Sequence, residues 1–506
     1  MVLHSGTAVL LDSMKRTYHK FFAENVDEFF QVPDSSVERI HNILVPLNVD
    51  DESLKVIMGR LNACFDAGLS NADPRASTLG MLASYVRSLP NGTESGNFLA
   101  LDLGGTNFRV LLIKLRGREK QAEMISKIYR IPNSLMIGSG QNLFDHIAEC
   151  LSLFIIDQGL AGTKLPLGFT FSFPCAQDGL TSAKLINWTK GFKCSGVEGE
   201  DVVQLLCDAI KRRNDVDIDV VALLNDTVGT LMALAHEDPN CTVGIIVGTG
   251  TNACYMERMS RITKLPEHKD DDGEMIINTE WGAFGDRGEL DSWRTEFDLA
   301  VDRNSINSGR QIFEKMISGM YMGELVRLIL EKLTVDGLLF EGNGSDDLYT
   351  KGKFPTKFVS EIEADLLADE RTFSNTMNIL DELGVENATL ADCANVAYVC
   401  SQVSTRAAHL CAAGIAVILN RMEKPEVTVG VDGSVYRFHP TFKSLLEQKI
   451  QQLLTYPCQF SLKLSEDGSG RGAALVAAVA TRLHMERLGK QMQETSITDS
   501  RDESKA

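Results

Sequence analysis

Two stretches of the chain repeat one pattern of apolar and polar positions. Leu99–Leu115 (LALDLGGTNFRVLLIKL) and Thr242–Glu257 (TVGIIVGTGTNACYME) each run apolar, turn through a Gly-rich segment ending in Gly-Thr-Asn, and return partly apolar. Short β-type runs joined by Gly/Asn turns predict hairpins. Elsewhere the period is helical. Ser53–Leu69 puts Leu54, Ile57, Met58, Leu61 and Phe65 on one face, and residues up to about 97 read mainly as helix. Leu151–Leu160, Val202–Arg212, Thr227–His236, Arg310–Leu333 and Ala391–Arg421 also read as helices, the last apolar throughout. Strands are predicted at Leu165–Phe173, Val216–Leu224, Val427–Val431 and Phe460–Leu464, with a loop at Gly337–Lys353 and a helix from about Gly472. Asp226 or Thr227 is the expected N-cap of the helix after Leu224.

Strands that alternate with helices predict an α/β architecture. The repeated hairpin implies two related lobes, each opening with a β-meander and continuing into βα units. Ligands in such folds sit at the carboxyl ends of strands, where most of the polar motifs below fall.

At 506 residues the chain has room for two or more domains. Its net charge of −19 argues against nucleic acid as a partner, and any nucleotide must meet a local nest of donors and a divalent cation. The eleven cysteines lie singly, with no CxxC pair, and Cys393, Cys400 and Cys411 read as core fillers in a reduced, intracellular protein. The N-terminus lacks a charged region before its apolar patch, so no signal peptide is expected. No run approaches the length of a membrane span, Ala407–Leu419 being short and interrupted by His409. The polar tail Gln491–Ala506 is expected without order.

The Gly-rich turns offer N–H groups and Thr hydroxyls suited to phosphate oxygens. Asp102, before the first turn, either holds Mg²⁺ through water or only fixes the turn. Asp226, at a strand end, is placed to take a proton from a hydroxyl, or merely caps the next helix. Ser172 is a candidate ligand or a product of strand alternation, and Asn187–Gly191 suits a polyol or phosphate or is a surface turn. Glu280 accepts from sugar hydroxyls or is simply solvated, while Gln311 and Glu314, one turn apart, have a spacing too common to single them out. There is no GxxxxGK[ST] P-loop, no strand-linked GxGxxG and no HExxH zinc pattern.

Taken in order, LDLGGTNFRV, LGFTFSFPC, INWTKGF, LLNDTVGTL, GTGTNACYME, NTEWGAFGD and VGVDGSVYRFHP resemble the eukaryotic hexokinase family, from about residue 20 to about 485. The resemblance implies an actin-like ATPase-domain (ribonuclease H-like) fold, with two lobes and a cleft between them. It implies an N-terminal helical segment at 1–97 packing on the large lobe, a small lobe at 98–225, a large lobe at 226–485 and a polar tail at 486–506. It makes Ser172, Thr189, Lys190, Asn225, Asn252, Glu280, Gln311 and Glu314 sugar ligands, with Asp226 as both ligand and catalytic base and Lys190 as a second catalytic group. For ATP it implies Asp102, Leu103, Gly104, Gly105, Thr106, Asn107 and Thr249, with Gly319, Met320, Thr356, Lys357, Phe358, Val359, Ser360, Ser434, Val435, Tyr436, Arg437 and Phe438 lining the nucleotide. Mg²⁺ would be held by ATP phosphates and water rather than by protein ligands.

The expected reaction is ATP-dependent phosphorylation of D-glucose and related hexoses at the 6-hydroxyl, the first step of glycolysis. A sugar sensor and a kinase for a non-hexose sugar are the alternatives; the first should have lost Asp226 or a phosphate turn, and both are intact. The chain resembles one kinase unit rather than a fused double unit, and a cytoplasmic monomer is expected. Its N-terminus is only weakly similar to the mitochondrial-docking peptide of some relatives. Glucose 6-phosphate is a candidate inhibitor whose phosphate Asp467–Gly472 and the first turn could hold; Arg471 stands there where relatives often have Lys.

Overall fold

The computed structural model describes residues 34–70, 77–104, 107–117, 122–188, 191–265, 272–368, 372–386, 388–466 and 468–503, with side chains from Ser36 to Leu488. Its strands are β1 (Leu82–Ala83), β2 (Ser95–Leu103), β3 (Asn107–Arg116), β4 (Glu123–Arg130), β5 (Leu165–Phe171), β6 (Cys175–Gln177), β7 (Ala183–Leu185), β8 (Ile218–Leu224), β9 (Cys241–Val247), β10 (Thr251–Arg258), β11 (Glu274–Asn278), β12 (Glu426–Asp432) and β13 (Gln459–Leu464).

Two larger sheets share one plan. The first has the order β4-β3-β2-β5-β8, and the second β11-β10-β9-β12-β13 with β1 added beyond β11. In each, three strands form an antiparallel meander and two more lie parallel to the first strand of that meander. Both predicted hairpins are therefore present: Leu101 faces Val110 in one and Val243 faces Tyr255 in the other. The central strands are covered on both faces, which is why they read as nearly continuous apolar runs. On β2 and β3, Leu99, Leu101, Leu103, Val110 and Leu112 join one core with the helices Gly140–Asp157 and Val202–Arg213. Phe98, Ala100, Leu111 and Ile113 face the other way and join the core of the second lobe.

That junction is made by two helices. Asp226–Ala235 follows the last strand of the first sheet, and Gly468–Glu503 follows the last strand of the second. Each packs on the opposite sheet, at a glycine. A Cβ on Gly244 of β9 would lie 2.5 Å from Thr227 O, and one on Gly168 of β5 would lie 1.9 Å from Ala473 O. The helices cross at Gly229 and Gly472, where a Cβ on Gly472 would lie 2.0 Å from Gly229 O. By packing, then, the stretch from Gly468 lies on the sheet of the first lobe, although it falls inside the range 226–485 expected for the large lobe.

The helices Asp34–Leu44 and Asp51–Leu69 pack on the helix Leu390–Met422; residues 77–97, which the sequence reads mainly as helix, hold no helix but the strand β1 and the start of β2. Leu390–Met422 is 33 residues long and passes the length and apolarity test for a membrane span, but 89% of its apolar window is buried inside the protein, as for a core helix.

Several boundaries differ from the sequence expectation. The helix predicted at Leu151–Leu160 begins at Gly140, capped by Ser139, whose hydroxyl accepts from Asn142 N–H. The N-cap before Asp226 is Asn225, whose extended backbone (φ −81°, ψ 158°) places it just outside the helix with its side chain accepting from Thr227 N–H. The single helix predicted for Arg310–Leu333 is two, Ile312–Ile317 and Gly319–Val335, broken where Ser318 is extended. The loop at Gly337–Lys353 contains the short helix Asp346–Tyr349. The last helix starts at Gly468 rather than Gly472, and its backbone continues to Glu503 through most of the tail expected without order.

Candidate active site

Four chain segments meet beyond the ends of β9 and β12. Gly248, in the turn after β9, accepts at its carbonyl from Gly319 N–H (2.8 Å), and Thr249 O accepts from Met320 N–H (3.1 Å). The break at Ser318 makes this possible, because it releases the first N–H groups of the next helix to bond outward. Thr356 Oγ1 donates to Gly319 O (2.5 Å) and accepts from Gly323 N–H (2.9 Å). Gly433, between β12 and the helix Ser434–Phe438, has φ 118°, and a Cβ there would stand 2.4 Å from Val247 O. Only glycine fits both the backbone and the space. Gly248–Thr249, Gly319–Met320, Thr356 and Gly433–Val435 thus form one wall, which brings together Thr249, Gly319, Met320, Thr356, Ser434 and Val435 of the residues expected to line a nucleotide.

Not every residue expected on that wall faces outward. Phe358, Val359, Val435 and Tyr436 are buried in the core, as is Leu103 of β2. Their side chains fill space behind the wall, and only their backbone can reach a ligand. Lys357, Ser434, Arg437 and Phe438 are exposed and Ser360 is half-buried; Lys357 pairs with Glu361, and Arg437 lies over the Phe438 ring.

The second group is polar and half-buried. Asn252 Nδ2 donates to Glu280 Oε1 (3.1 Å) and to Asn278 Oδ1 (2.9 Å), and Asn278 Nδ2 donates to Glu280 Oε1 (2.8 Å). Thr251 N–H donates to Glu314 Oε2 (3.1 Å), so this carboxylate lies across the Gly250–Thr251 turn. A Cβ on Gly282 would stand 2.3 Å from Gln311 Oε1. Asn252, Glu280, Gln311 and Glu314, scattered over sixty residues, are therefore neighbours. Glu280 and Gln311 both take left-handed backbone (φ 52° and 57°), a conformation that costs a non-glycine residue about 1–3 kcal/mol and concentrates where function demands it. Asp286 helps to hold Gln311 there: its Oδ1 accepts Ile312 N–H at 3.0 Å, and burial pushes its carboxyl upward. Tyr321 is pushed up to about 12, by burial first and then by the charge of Glu314.

Asp226 is half-buried at the first turn of its helix. Its Oδ1 accepts Thr227 N–H at 2.9 Å, the same donor that Asn225 Oδ1 accepts at 3.0 Å. Below it lies Cys254, whose thiol burial pushes far up, with the Asp226 charge adding to the effect. Ser172 N–H donates to Leu103 O (3.1 Å), and Ser172 Oγ would lie 3.5 Å from a Cβ on Gly104, so Ser172 stands beside the first Gly-rich turn. The same segment reaches the polar group, since Cys175 is pushed up to about 12 by burial and then by the charge of Glu280. Asp102 Oδ2 accepts from Ser469 Oγ at 2.7 Å. Asn107 is exposed at the start of β3. Gly105, Thr106, Thr189, Lys190 and Asp467 lie outside the described residues.

Three residues of this arrangement were not singled out from sequence: Asn278, Asp286 and Ser469. Asn278 and Asp286 lie inside the NTEWGAFGD motif, so the motif marked the place but not the partners. Ser469 lies at the start of the last helix, within the Asp467–Gly472 segment expected near the first turn, but its partner there, Asp102, is 367 residues away and was not foreseen.

Two sequence-family models, both described as hexokinase, match residues 39–236 and 242–479. The chain is 50% identical over 452 residues to rat (Rattus norvegicus) hexokinase-1, and 50% identical over 447 residues to horse (Equus caballus) hexokinase-2. These alignments cover 88% and 87% of this chain but 48% of each relative, so the chain spans about half the length of the curated relatives it matches. A solved hexokinase from Schistosoma mansoni, complexed with glucose, is 45% identical with a TM-score of 0.80, over 88% of this chain and 99% of that one. A second solved hexokinase is 31% identical with a TM-score of 0.75, over 88% of this chain and all of that one. The two-sheet plan is accordingly the actin-like ATPase fold of these structures, and the chain belongs to the hexokinase family.

Proposed function

We propose that this chain transfers the γ-phosphoryl group of MgATP to the 6-hydroxyl of a hexose, glucose foremost, with Asp226 as general base. The observation that carries the proposal is the polar group around Glu280. Its two amides and two carboxylates converge on one half-buried place, whereas a nucleotide wall alone would need none of them. A polyol needs donors and acceptors in such a mixture, and the glucose named in the Schistosoma mansoni complex has that chemistry. The hydroxyls of the sugar would be oriented by Asn252, Glu280, Gln311 and Glu314 from one side and by Ser172 and Asn225 from the other. Asp226 takes the proton of the attacking hydroxyl, and Asn225, by sharing the Thr227 N–H, lessens the demand of helix capping on that carboxylate.

The donor set near the first turn fits Mg²⁺. Asp102 presents a hard carboxylate beside a hydroxyl, and such a group suits the outer hydration shell of that ion. When bound, Mg²⁺ neutralises charge on the phosphates. The N–H groups of the two Gly-rich turns, together with Lys190, would stabilise the charge that develops on the transferring group. The proposal extends to a cytoplasmic setting, with glucose 6-phosphate as candidate inhibitor. General-base catalysis supplies about 10²–10⁴ in rate, so Asp226→Ala should lose at least about that factor in kcat while still binding glucose. Near-normal turnover by this variant in a coupled assay would remove Asp226 from the role.

A further inference from the structure

The wall at the ends of β9 and β12 is closed from behind by a buried contact that the proposed reaction does not use. Glu363 lies on the helix Thr356–Asp365, two turns from Thr356, and His439 and Thr441 follow the helix Ser434–Phe438. The side chains of Glu363 and His439 are completely buried, and Thr441 is 1% exposed. His439 Nε2 lies 3.2 Å from Glu363 Oε1, and Thr441 Oγ1 donates to Glu363 Oε2 at 3.2 Å. Thr441 N–H points at His439 Nδ1 (3.4 Å), so Nδ1 accepts and Nε2 is the nitrogen that faces Glu363. Among the described residues neither Glu363 Oε1 nor His439 Nε2 has a hydrogen-bond partner, so the two buried atoms face each other in close contact, and the one hydrogen bond onto this carboxylate from the second helix's segment is that of Thr441.

The contacts form a ring. Gly248 holds Gly319, Gly319 holds Thr356, the helix from Thr356 carries Glu363, and Glu363 holds Thr441 and abuts His439. The chain then leads back through Val435, whose Cγ2 would lie 2.9 Å from a Cβ on Gly319. Both helices of this ring carry exposed polar residues, Lys357 on one and Ser434 and Arg437 on the other. A buried pair of this kind adds little stability over apolar residues of the same volume, and its best-attested use is to select one arrangement.

We infer that Glu363, His439 and Thr441 are positioning residues that set the spacing of the two helices lining the nucleotide, an inference that rests on the phosphoryl-transfer reading above. The test measures ADP binding by calorimetry, and steady-state constants for MgATP and glucose, in His439→Ala, His439→Gln and Thr441→Val. His439→Ala leaves a cavity against the buried Glu363 carboxylate, and should weaken ADP binding and raise the KM for MgATP by about tenfold. The KM for glucose, and kcat at saturating MgATP, should stay within about twofold. His439→Gln keeps an N–H donor of similar reach and should restore most of the affinity. Thr441→Val removes one donor without changing shape, and should give a smaller loss in the same direction even if His439→Ala fails to fold. Nucleotide constants unchanged in both His439→Ala and Thr441→Val would overturn the inference, as would glucose and nucleotide constants moving together. If the unaltered chain binds no ADP, the phosphoryl-transfer reading itself fails; if it binds ADP and the variants bind equally, only the clamp does.

Discussion

At the scale of single residues, the site is built from side chains that do two jobs. Asn252 binds its own strand through Ala253 N–H and bridges Glu280 and Asn278 through its amide nitrogen. Asn278 is 6% exposed, so it acts on the cleft mainly through Glu280. Replacing it with Ala should raise the KM for glucose by about tenfold with kcat less affected, as for loss of one hydrogen bond to a charged group; equal constants in the two proteins would make Asn278 merely structural. Away from the cleft, Arg406 grips both oxygens of Asp298 at 2.7 Å, wholly buried. Burial alone would raise the Asp298 carboxyl, but the guanidinium and Thr295 more than offset it, and the carboxyl titrates below its ordinary value. A carboxyl depressed in the folded state contributes stability that is present above its unfolded pKa and lost as pH falls through the folded one. Thermal midpoints should therefore drop as pH falls below about 4. Asp298→Asn should be less stable at pH 7 and show a shallower acid slope.

At the scale of elements, periodicity located the two hairpins, the strands β5, β8, β12 and β13 and the longer helices, missed β4, β11 and helices such as Thr356–Asp365 and Phe442–Leu453, and tertiary contacts moved the ends of those it found. Nothing local marks Ser318 as a break, because Arg310–Leu333 has apolar residues at helical spacing throughout. The break exists because Gly319 and Met320 bond to Gly248 and Thr249 more than sixty residues away. Asp226 and Thr227 are both acceptable caps by residue type, and the backbone angle at Asn225 decided the matter. The glycines of Gly168 and Gly229 look like weak points in a strand and a helix until the opposing element is seen. A methyl on Gly168 would meet the backbone of Ala473, which cannot swing aside as a side chain would. Gly168→Ala should thus lower stability by about 1–3 kcal/mol or more, read as a fall in thermal midpoint, and loosen the last helix. An unchanged midpoint would mean that this helix adjusts freely on the sheet.

At the scale of the whole molecule, the repeated Gly-Thr-Asn turns mark a duplicated architecture, with the same strand order in both sheets and two crossing helices between them. The proposed ligands of the sugar come from both lobes, Ser172 from the first and Glu280 from the second, so a change in lobe separation alters the site directly. Water would compete with the sugar hydroxyl as nucleophile, and closure on the correct substrate is the way to suppress it. Glucose should shrink the radius of gyration in small-angle scattering and leave sugar-free ATP hydrolysis slow; an unchanged radius with rapid hydrolysis would contradict closure. The eleven cysteines need no part in this, because ten are buried and Cys207 is half-buried, and burial raises the thiols of all of them. Rapid labelling by a thiol reagent at neutral pH should accordingly be confined to unfolded protein.

The sequence by itself determined the α/β class, the two hairpins, the helical segments and the motifs that identify the family, because these depend on short-range periodicity and on residue types at fixed spacing. It could not separate ligand from core within a motif: in Ser434–Phe438, Val435 and Tyr436 turn inward while Arg437 and Phe438 face out. Nor could it decide which polar residues meet. Gln311 and Glu314 have an ordinary helical spacing, and only the fold sets them against Gly282 and Gly250. Asp102 meets Ser469 from 367 residues away, and Glu363 meets His439 and Thr441 from a different helix, contacts that no local pattern announces. Hydrogen bonds reach about 3 Å whatever the separation along the chain, so their partners are a property of the packed molecule.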